Sequence, residues 1–289
     1  MEQQLHLKAI VGDIAGVKSL IERGCNKEST DSRKETPLIT AFRGMLDTVK
    51  YLVSIGANLE AKDQDGYTPP AAAVSYNRAD VVQYLQYLIS AGANLDAADN
   101  YGKTSLHYAI NDDKLELVKM LISKGTNQEA KDKNGDTPLN LASQDGKLKI
   151  VKYLISNGAD IEAADDKGFT PLLSATAFCH HEVIKYLISV GANKVAKTND
   201  GRTLIIEGSR MANLDTFKYI VSLGCNINDK DDIGRTPLMY ASMSSELELV
   251  KYIISLGADK NAVDKDGKTA LSYAKDRNVK EYLMSIGAN

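Results

Sequence analysis

The sequence predicts an all-α chain, an α-solenoid in which stacked helix pairs are joined by projecting turns or β-hairpin fingers. Three observations carry that expectation. A Gly followed by Ala, Cys or Thr and then Asn or Asp recurs at Gly24, Gly56, Gly92, Gly125, Gly158, Gly191, Gly224, Gly257 and Gly287, in steps of 33 residues apart from steps of 32, 36 and 30. A Thr, usually followed by Pro, recurs at Thr36, Thr68, Thr104, Thr137, Thr170, Thr203, Thr236 and Thr269, in steps of 32, 36 and then 33 five times. The run before each Gly, such as KIVKYLIS over residues 149–156, spaces its apolar residues as one face of a helix. Self-similarity at a period of a few tens of residues marks a stack of repeats, each too small to bury its apolar side alone. The 289 residues therefore divide into nine units of one domain, 1–289, with boundaries near 1–35, 36–67, 68–103, 104–136, 137–169, 170–202, 203–235, 236–268 and 269–289. The first unit lacks its opening Thr and the last is short.

Each element of a unit is set by its punctuation. Thr at an N-cap accepts a hydrogen bond from an otherwise unpaired amide of the first helical turn, and Pro at the next position needs no donor and arrives with φ preset. A first helix therefore starts at each Thr. All six prolines obey this: Pro37, Pro69, Pro138, Pro171 and Pro237 follow their Thr, and Pro70 follows Pro69. A turn such as SQDGK at residues 143–147 leads into the second, amphipathic helix, which the next Gly ends by adopting the left-handed conformation. Between this Gly and the following Thr lie polar stretches such as GADIEAADDKGFT, whose second Gly serves a tight turn. These form the fingers. Sixteen of the 21 glycines occupy these two positions, so the glycine pattern is architectural and does not cradle a phosphate.

With these units in view, the chain resembles the ankyrin-repeat family, whose unit of about 33 residues carries a T-P-L-H-x-A signature. The matching segments are TPLITA at Thr36, TSLHYA at Thr104, TPLNLA at Thr137, TPLLSA at Thr170, TPLMYA at Thr236 and TALSYA at Thr269. The resemblance implies antiparallel helix pairs with fingers standing off them, and a concave face that binds other proteins.

Several units depart from the pattern. In the third, Gln83-Tyr84-Leu85 is followed by Gln86-Tyr87-Leu88, a duplication that accounts for the step of 36. Three residues turn a helix by about 300°, so a longer, kinked or bulged second helix is expected there. The same unit reads TPPAAA, and the second is one residue short around Arg43-Gly44-Met45. The seventh reads TLIIEG, with Leu204 for Pro and Gly208 for the helix-packing Ala. These mark the repeats at 36–91 and 203–224 as weaker. Either they are loosely constrained or they are deformed to fit a partner. Lys34 stands where other fingers carry Gly, which demands another turn or about 1 kcal/mol of left-handed strain.

Composition narrows the function. With 35 Lys plus Arg against 38 Asp plus Glu, the net charge is −3, and the basic residues are not clustered, so a nucleic-acid partner is not expected. No run of 18 apolar residues and no signal-like leader occurs, so neither a membrane nor secretion by that route is expected. Three cysteines cannot form a disulfide framework, and a cytoplasmic location, or the nucleus, fits best. No nucleophile elbow, zincin, Walker or dinucleotide-binding run is present. The Asp-rich fingers lack the spacing and closing Glu of an EF-hand. Cys179-His180-His181 is the one cluster with metal-ligand flavour, but zinc wants three or four ligands, and the neighbouring units supply no second Cys/His group at matching positions. His180 falls at the turn position and His107 at the signature His, both structural by resemblance. No enzyme, cofactor, metal or small-molecule substrate is expected, and the chain is read as a monomer.

The Lys-Tyr pairs of the second helices (Tyr51, Tyr153, Tyr186, Tyr219 and Tyr252 among them) read as a packing column beside a solvated Lys stripe. Binding is assigned to positions that vary while the frame stays fixed: the finger tips and the last residues of each first helix. The resemblance places both sets on the concave side. The candidate partner-binding residues are Tyr67, Tyr76, Tyr101, Lys103, Asp112, Asp136, Phe169, Phe178, Arg202, Arg210, Met211 and Arg235. Phe42 is assigned to the same exposed set. Large aromatics and Arg dominate interface energetics, so the chain is expected to be a non-catalytic scaffold or adaptor for another protein. The alternative is a regulatory subunit that occludes an enzyme's active site.

Overall fold

The structure is a computed structural model that describes residues 1–43, 46–76, 81–211 and 213–289. It divides into two compact units, Met1–Lys133 and Asn134–Asn289. Among the described residues the secondary structure is eighteen helices and one isolated bridge between Lys197 and Thr203, with no strand.

The first unit holds four helix pairs: α1 (Glu2–Val11) with α2 (Ile14–Glu22), α3 (Pro37–Ala41) with α4 (Leu46–Ser54), α5 (Pro69–Ser75) with α6 (Val81–Ser90), and α7 (Ser105–Asn111) with α8 (Leu115–Ser123). The second holds five: α9 (Pro138–Gln144) with α10 (Leu148–Ser156), α11 (Pro171–Ala177) with α12 (His181–Ser189), α13 (Leu204–Arg210) with α14 (Leu214–Ser222), α15 (Pro237–Met243) with α16 (Leu247–Ser255), and α17 (Ala270–Tyr273) with α18 (Arg277–Ser285). Within each unit, first helices pack on neighbouring first helices, second helices on second helices, and each helix on its partner.

The two helices of a pair bury different amounts for a reason legible in their residues. A first helix lies between two neighbours and its own partner, so nearly every side chain is enclosed; in α11 all seven residues are buried. A second helix buries one stripe, Ile150, Val151 and Leu154 in α10, and leaves Lys149 and Lys152 to solvent. Each fully buried Leu or Ile contributes about 2 kcal/mol.

The caps follow the sequence reading. Oγ1 of Thr36, Thr137, Thr170 and Thr236 accepts the amide three residues on, at 3.3 to 3.4 Å. His107 is structural: its Nδ1 accepts the Thr104 amide at 3.1 Å. Asn140 holds the corresponding place and donates from Nδ2 to the Phe169 carbonyl at 2.8 Å, tying one repeat to the next finger.

Turn conformation accounts for the Cys-His-His cluster. In five pairs the link between the two helices carries a left-handed residue: Gly12, Asp113, Gly146, Cys179 and Ser245. Cys179 is therefore a turn residue (φ 58) whose thiol burial pushes its pKa up. His180 reaches back with Nε2 to the Gln144 carbonyl at 2.7 Å, and its ring lies where a Cβ on Gly146 would be.

The fingers are turns. In most, an Asp side chain accepts the amides two and four residues on, as Asp165 does from Lys167 at 2.9 Å and Phe169 at 2.7 Å, and in the finger before Thr203 the Thr198 hydroxyl accepts the Arg202 amide at 3.0 Å. The equivalent Asp63, Asp99, Asp231 and Asp264 do the same. Successive fingers are tied by single amide-to-carbonyl bonds. In the first unit Gln64 donates to Arg33 and Asn100 to Asp65; in the second, Asn199 donates to Lys167 and Asp232 to Asp200. Each finger is thus closed by its side-chain acceptor together with one backbone bond between its arms, such as Asp165 N–H to the Phe169 carbonyl at 3.1 Å. Lys34 takes the strained route, with φ 59.

The duplicated triplet does not bulge the helix. α6 is a ten-residue α-helix, one residue longer than α8 or α10. The remaining two additional residues fall between Ser75 and Val81, where residues 77–80 lie outside the described set, as do Gly44 and Met45 of the shortened second repeat. Gly208 also has a use. A Cβ there would lie 2.6 Å from Ile220 Cδ1, so the missing methyl lets α14 close onto α13.

Candidate functional site

The second unit carries an open hollow of about 400 Å³ where finger residues meet the ends of first helices. Finger residues Asn134, Asp136, Asp165, Lys167 and Phe169 line one side; Gln144, Ser174, Ala177, Phe178, Arg210 and Met211 line the other. Phe178 and Met211 are 50% and 43% exposed, a large share for apolar side chains. Phe178 is the C-cap residue of α11 and Met211 that of α13.

A charged framework stands beside this hollow. Glu207 of α13 is fully buried and receives Arg202 Nη1 at 2.7 Å and Arg210 Nη1 at 2.6 Å. Burial raises the Glu207 pKa, while the two guanidinium groups oppose that rise. Arg202 also reaches Asp200 at 2.8 Å and lies over the Phe169 ring, 5.3 Å from its centroid. Arg210 and Arg235 flank the Tyr240 ring at 5.9 and 4.8 Å, and the Tyr240 hydroxyl donates to Asp231 at 2.7 Å. Burial, and then that bond, push the phenol's pKa well up. These pairings fix arginine side chains that are otherwise long and mobile, and so hold the hollow's wall in one shape.

Of the sequence-predicted residues, five line this hollow: Asp136, Phe169, Phe178, Arg210 and Met211. Arg202 stacks on Phe169, and Arg235 is tied to Asp231 at 2.9 Å and to the Tyr240 ring. The other five lie in the first unit and do not form one site. Tyr101 stands 56% exposed at a finger tip. Tyr67 packs edge-on against Tyr108 at 5.2 Å, Lys103 is half-buried, and Asp112 pairs with Lys114 at 3.3 Å. Tyr76 belongs to an internal clasp, in which Arg43 forms two 2.6 Å bonds to buried Glu35 and lies 4.4 Å from the Tyr76 ring centroid. The Tyr76 hydroxyl donates to Glu35 at 3.0 Å.

Phe42 is a correction. It is 1% exposed and packs edge-on against Tyr84 with centroids 5.6 Å apart. It lies six residues after its Thr, the same position as buried Ser143, Thr176, Ser209 and Ser242. The exposed slots come seven and eight residues after the Thr, one helical step further round. Ser174 of the hollow's lining and the buried or ion-paired framework residues Glu207, Glu35 and Arg43 are not among the candidate residues the sequence singles out. A carboxylate inside the apolar run LIIEG was the available signal for Glu207.

The Lys stripe and Tyr column lie on the second helices. Lys119, Lys185 and Lys251 each pair with the acid three residues earlier, at 2.8 to 3.3 Å. Lys18, Lys152, Lys185 and Lys218 also cover the next repeat's Tyr ring at 5.2 to 6.0 Å. This side is self-satisfied. Among the described residues no three His, Cys, Asp or Glu side chains converge as a metal site would, and no helix is long and apolar enough to cross a membrane.

Comparison with known proteins agrees with the geometry. A family profile described as ankyrin repeats (3 copies) matches residues 5–86, 85–165, 111–198, 163–231 and 205–289. The chain is 34% identical over 109 residues to a serine/threonine-protein kinase 12 of Arabidopsis thaliana, covering 37% of this chain and 24% of that protein. It is 37% identical over 81 residues to a transient receptor potential cation channel subfamily A member 1 homolog of Caenorhabditis elegans, covering 28% of this chain and 7% of that protein. The chain thus spans a quarter or less of these relatives. The helix pairs, the turn fingers bridged by Asp and the profile match from residue 5 to residue 289 lead to one conclusion: this chain belongs to the ankyrin-repeat family.

Proposed function

We propose that the chain is a non-catalytic scaffold or adaptor that binds a partner protein through the finger and first-helix face, with its nine repeats acting as one interaction domain. The observation that carries this reading is the hollow of the second unit. Two large apolar side chains, Phe178 and Met211, stand in water beside arginines already fixed by Glu207. Exposed aromatic and Met side chains on a preorganised surface are what a partner covers at low ordering cost. Ankyrin repeats generally mediate protein–protein interaction, which supports the same assignment. Tyr101, Lys103 and Asp112 of the first unit belong to the proposed contact set as separate, peripheral positions. Cys25, Cys179 and Cys225 are free thiols, which suits a reducing compartment, the cytoplasm or nucleus.

The test is affinity capture with the native chain beside a Tyr101→Ala, Phe169→Ala, Phe178→Ala variant, followed by mass spectrometry. A partner retained by the native chain and lost with the variant supports the reading. A partner set unchanged by the variant would move the interface elsewhere.

A further inference from the structure

We propose that the hollow of the second unit is the seat of a short acidic peptide segment of another protein. One large apolar side chain fills the space beside Phe169, Phe178 and Met211, and an adjacent carboxylate bonds to Arg210 and Lys167. The inference rests on the protein-binding reading above and names the chemistry of the bound segment.

The hollow exists because of two small residues. Ser174 and Ala177, four and seven residues after Thr170, line it, and the same positions in the other repeats from Thr137 to Thr236 hold Leu141 with Gln144, Glu207 with Arg210, and Tyr240 with Met243. Only the pair after Thr170 is small. An opening of about 400 Å³ therefore lies over Ser174 and Ala177, with walls built by the larger neighbours. That volume is within the range of sites that enclose a ligand group, and apolar walls with a few polar groups are their usual make-up.

The polar rim decides which segment fits. Arg210 is exposed and uses Nη1 on Glu207; its Nε and Nη2 donors have no partner among the described residues. The Lys167 side chain is exposed and makes no ion pair among the described residues. The acids of the lining are placed differently. Asp136 is buried, and Asp165 has Oδ1 engaged by the Lys167 and Phe169 amides that shape the finger. Asp165 Oδ2 stays an acceptor on a half-buried side chain, whereas the donors of Arg210 and Lys167 are exposed and are what an incoming carboxylate satisfies with charge-assisted bonds. A basic segment would instead set its charges against Arg210 and Lys167.

The experiment displays short random peptides on phage and selects them on the full chain, with parallel selection on Phe178→Ala and Ala177→Trp. Selected peptides are then synthesised and measured by fluorescence anisotropy. The expected consensus is Leu, Phe, Met or Trp next to Asp or Glu. Affinity should fall about tenfold with Phe178→Ala, with Arg210→Gln and with amidation of the peptide's acid, and should weaken with salt. Phe178 and Lys167 are exposed, so Phe178→Ala and Lys167→Gln keep the test valid if Ala177→Trp or Arg210→Gln fails to fold. Basic or patternless consensus peptides, peptides indifferent to these variants, or no enrichment would each overturn the proposal. A natural partner that binds the native chain and these variants equally would overturn it too, while leaving the scaffold reading intact. Finding no protein partner at all would instead remove the scaffold reading.

Discussion

Replacing Asp231 by Ala should cost the protein about 3 to 4 kcal/mol, most of its effect arising within one finger. The carboxylate accepts amides from Ile233 at 3.1 Å and Arg235 at 2.8 Å, the Tyr240 hydroxyl at 2.7 Å and Arg235 Nε at 2.9 Å. Hydrogen bonds to a charged acceptor contribute about 1.5 kcal/mol each at the low end, and the two part-buried amides make bonds of this kind. They account for about 3 kcal/mol, and a buried Tyr240 hydroxyl left unpaired adds about 1 kcal/mol. The exposed portion of the Arg235 pair adds little. Asp231→Asn keeps one carbonyl-type acceptor and should lose only about half as much. Urea unfolding followed by circular dichroism measures both, with the slope checked because repeat arrays can lose cooperativity. If Asp231→Ala and Asp231→Asn both stay within about 0.5 kcal/mol of the native chain, the finger turns do not depend on this acceptor.

Lys34→Gly should stabilise the chain by about 1 kcal/mol by relieving left-handed strain at φ 59, read in the same urea assay. Gly146→Ala should destabilise by about 2 kcal/mol or more, because it combines φ 71 with displacement of the His180 ring; a thermal melt reports it. Burial lowers the His6 pKa below its ordinary value, so the unfolded chain binds the proton more readily. Stability should then fall as pH drops from the ordinary His range through the lowered value, and His6→Asn should flatten that part of the pH profile. Tyr273 bonds to Asp264, which pushes its phenol up to about 12. Its contribution is present below the ordinary Tyr range and is lost as pH rises toward 12, and ultraviolet titration should find several late-ionising tyrosines, Tyr240 among them, of which Asp264→Asn brings one down.

The fold was readable because its determinants are local. Thr36, Thr137, Thr170 and Thr236 cap helices through their own side chains, and Gly24 through Gly287 end helices by a backbone conformation that other residues rarely adopt. The fingers were half readable. Their Asp and Gly mark a turn, but the bond that ties each finger to the next is made between backbone groups of different repeats and carries no side-chain signature. The site was readable only where it rests on position within a repeat: Phe178 and Met211 stand eight residues after their Thr and are exposed, whereas Phe42 stands six after and is buried. Glu207 and Glu35 escaped because Arg202 and Arg43 reach them from outside their own helical turn, although Arg210, three residues after Glu207 on the same helix, was a local signal. Ser174 and Ala177 matter through what they leave empty, which no single residue's chemistry announces.

Hydrogen–deuterium exchange of the native chain with its captured partner tests the central claim most directly. Slower exchange should appear over residues 165–169, 174–178 and 207–211, with the second helices α10, α12 and α14 unchanged. Protection confined to those second helices, over the Lys and Tyr side, would contradict it.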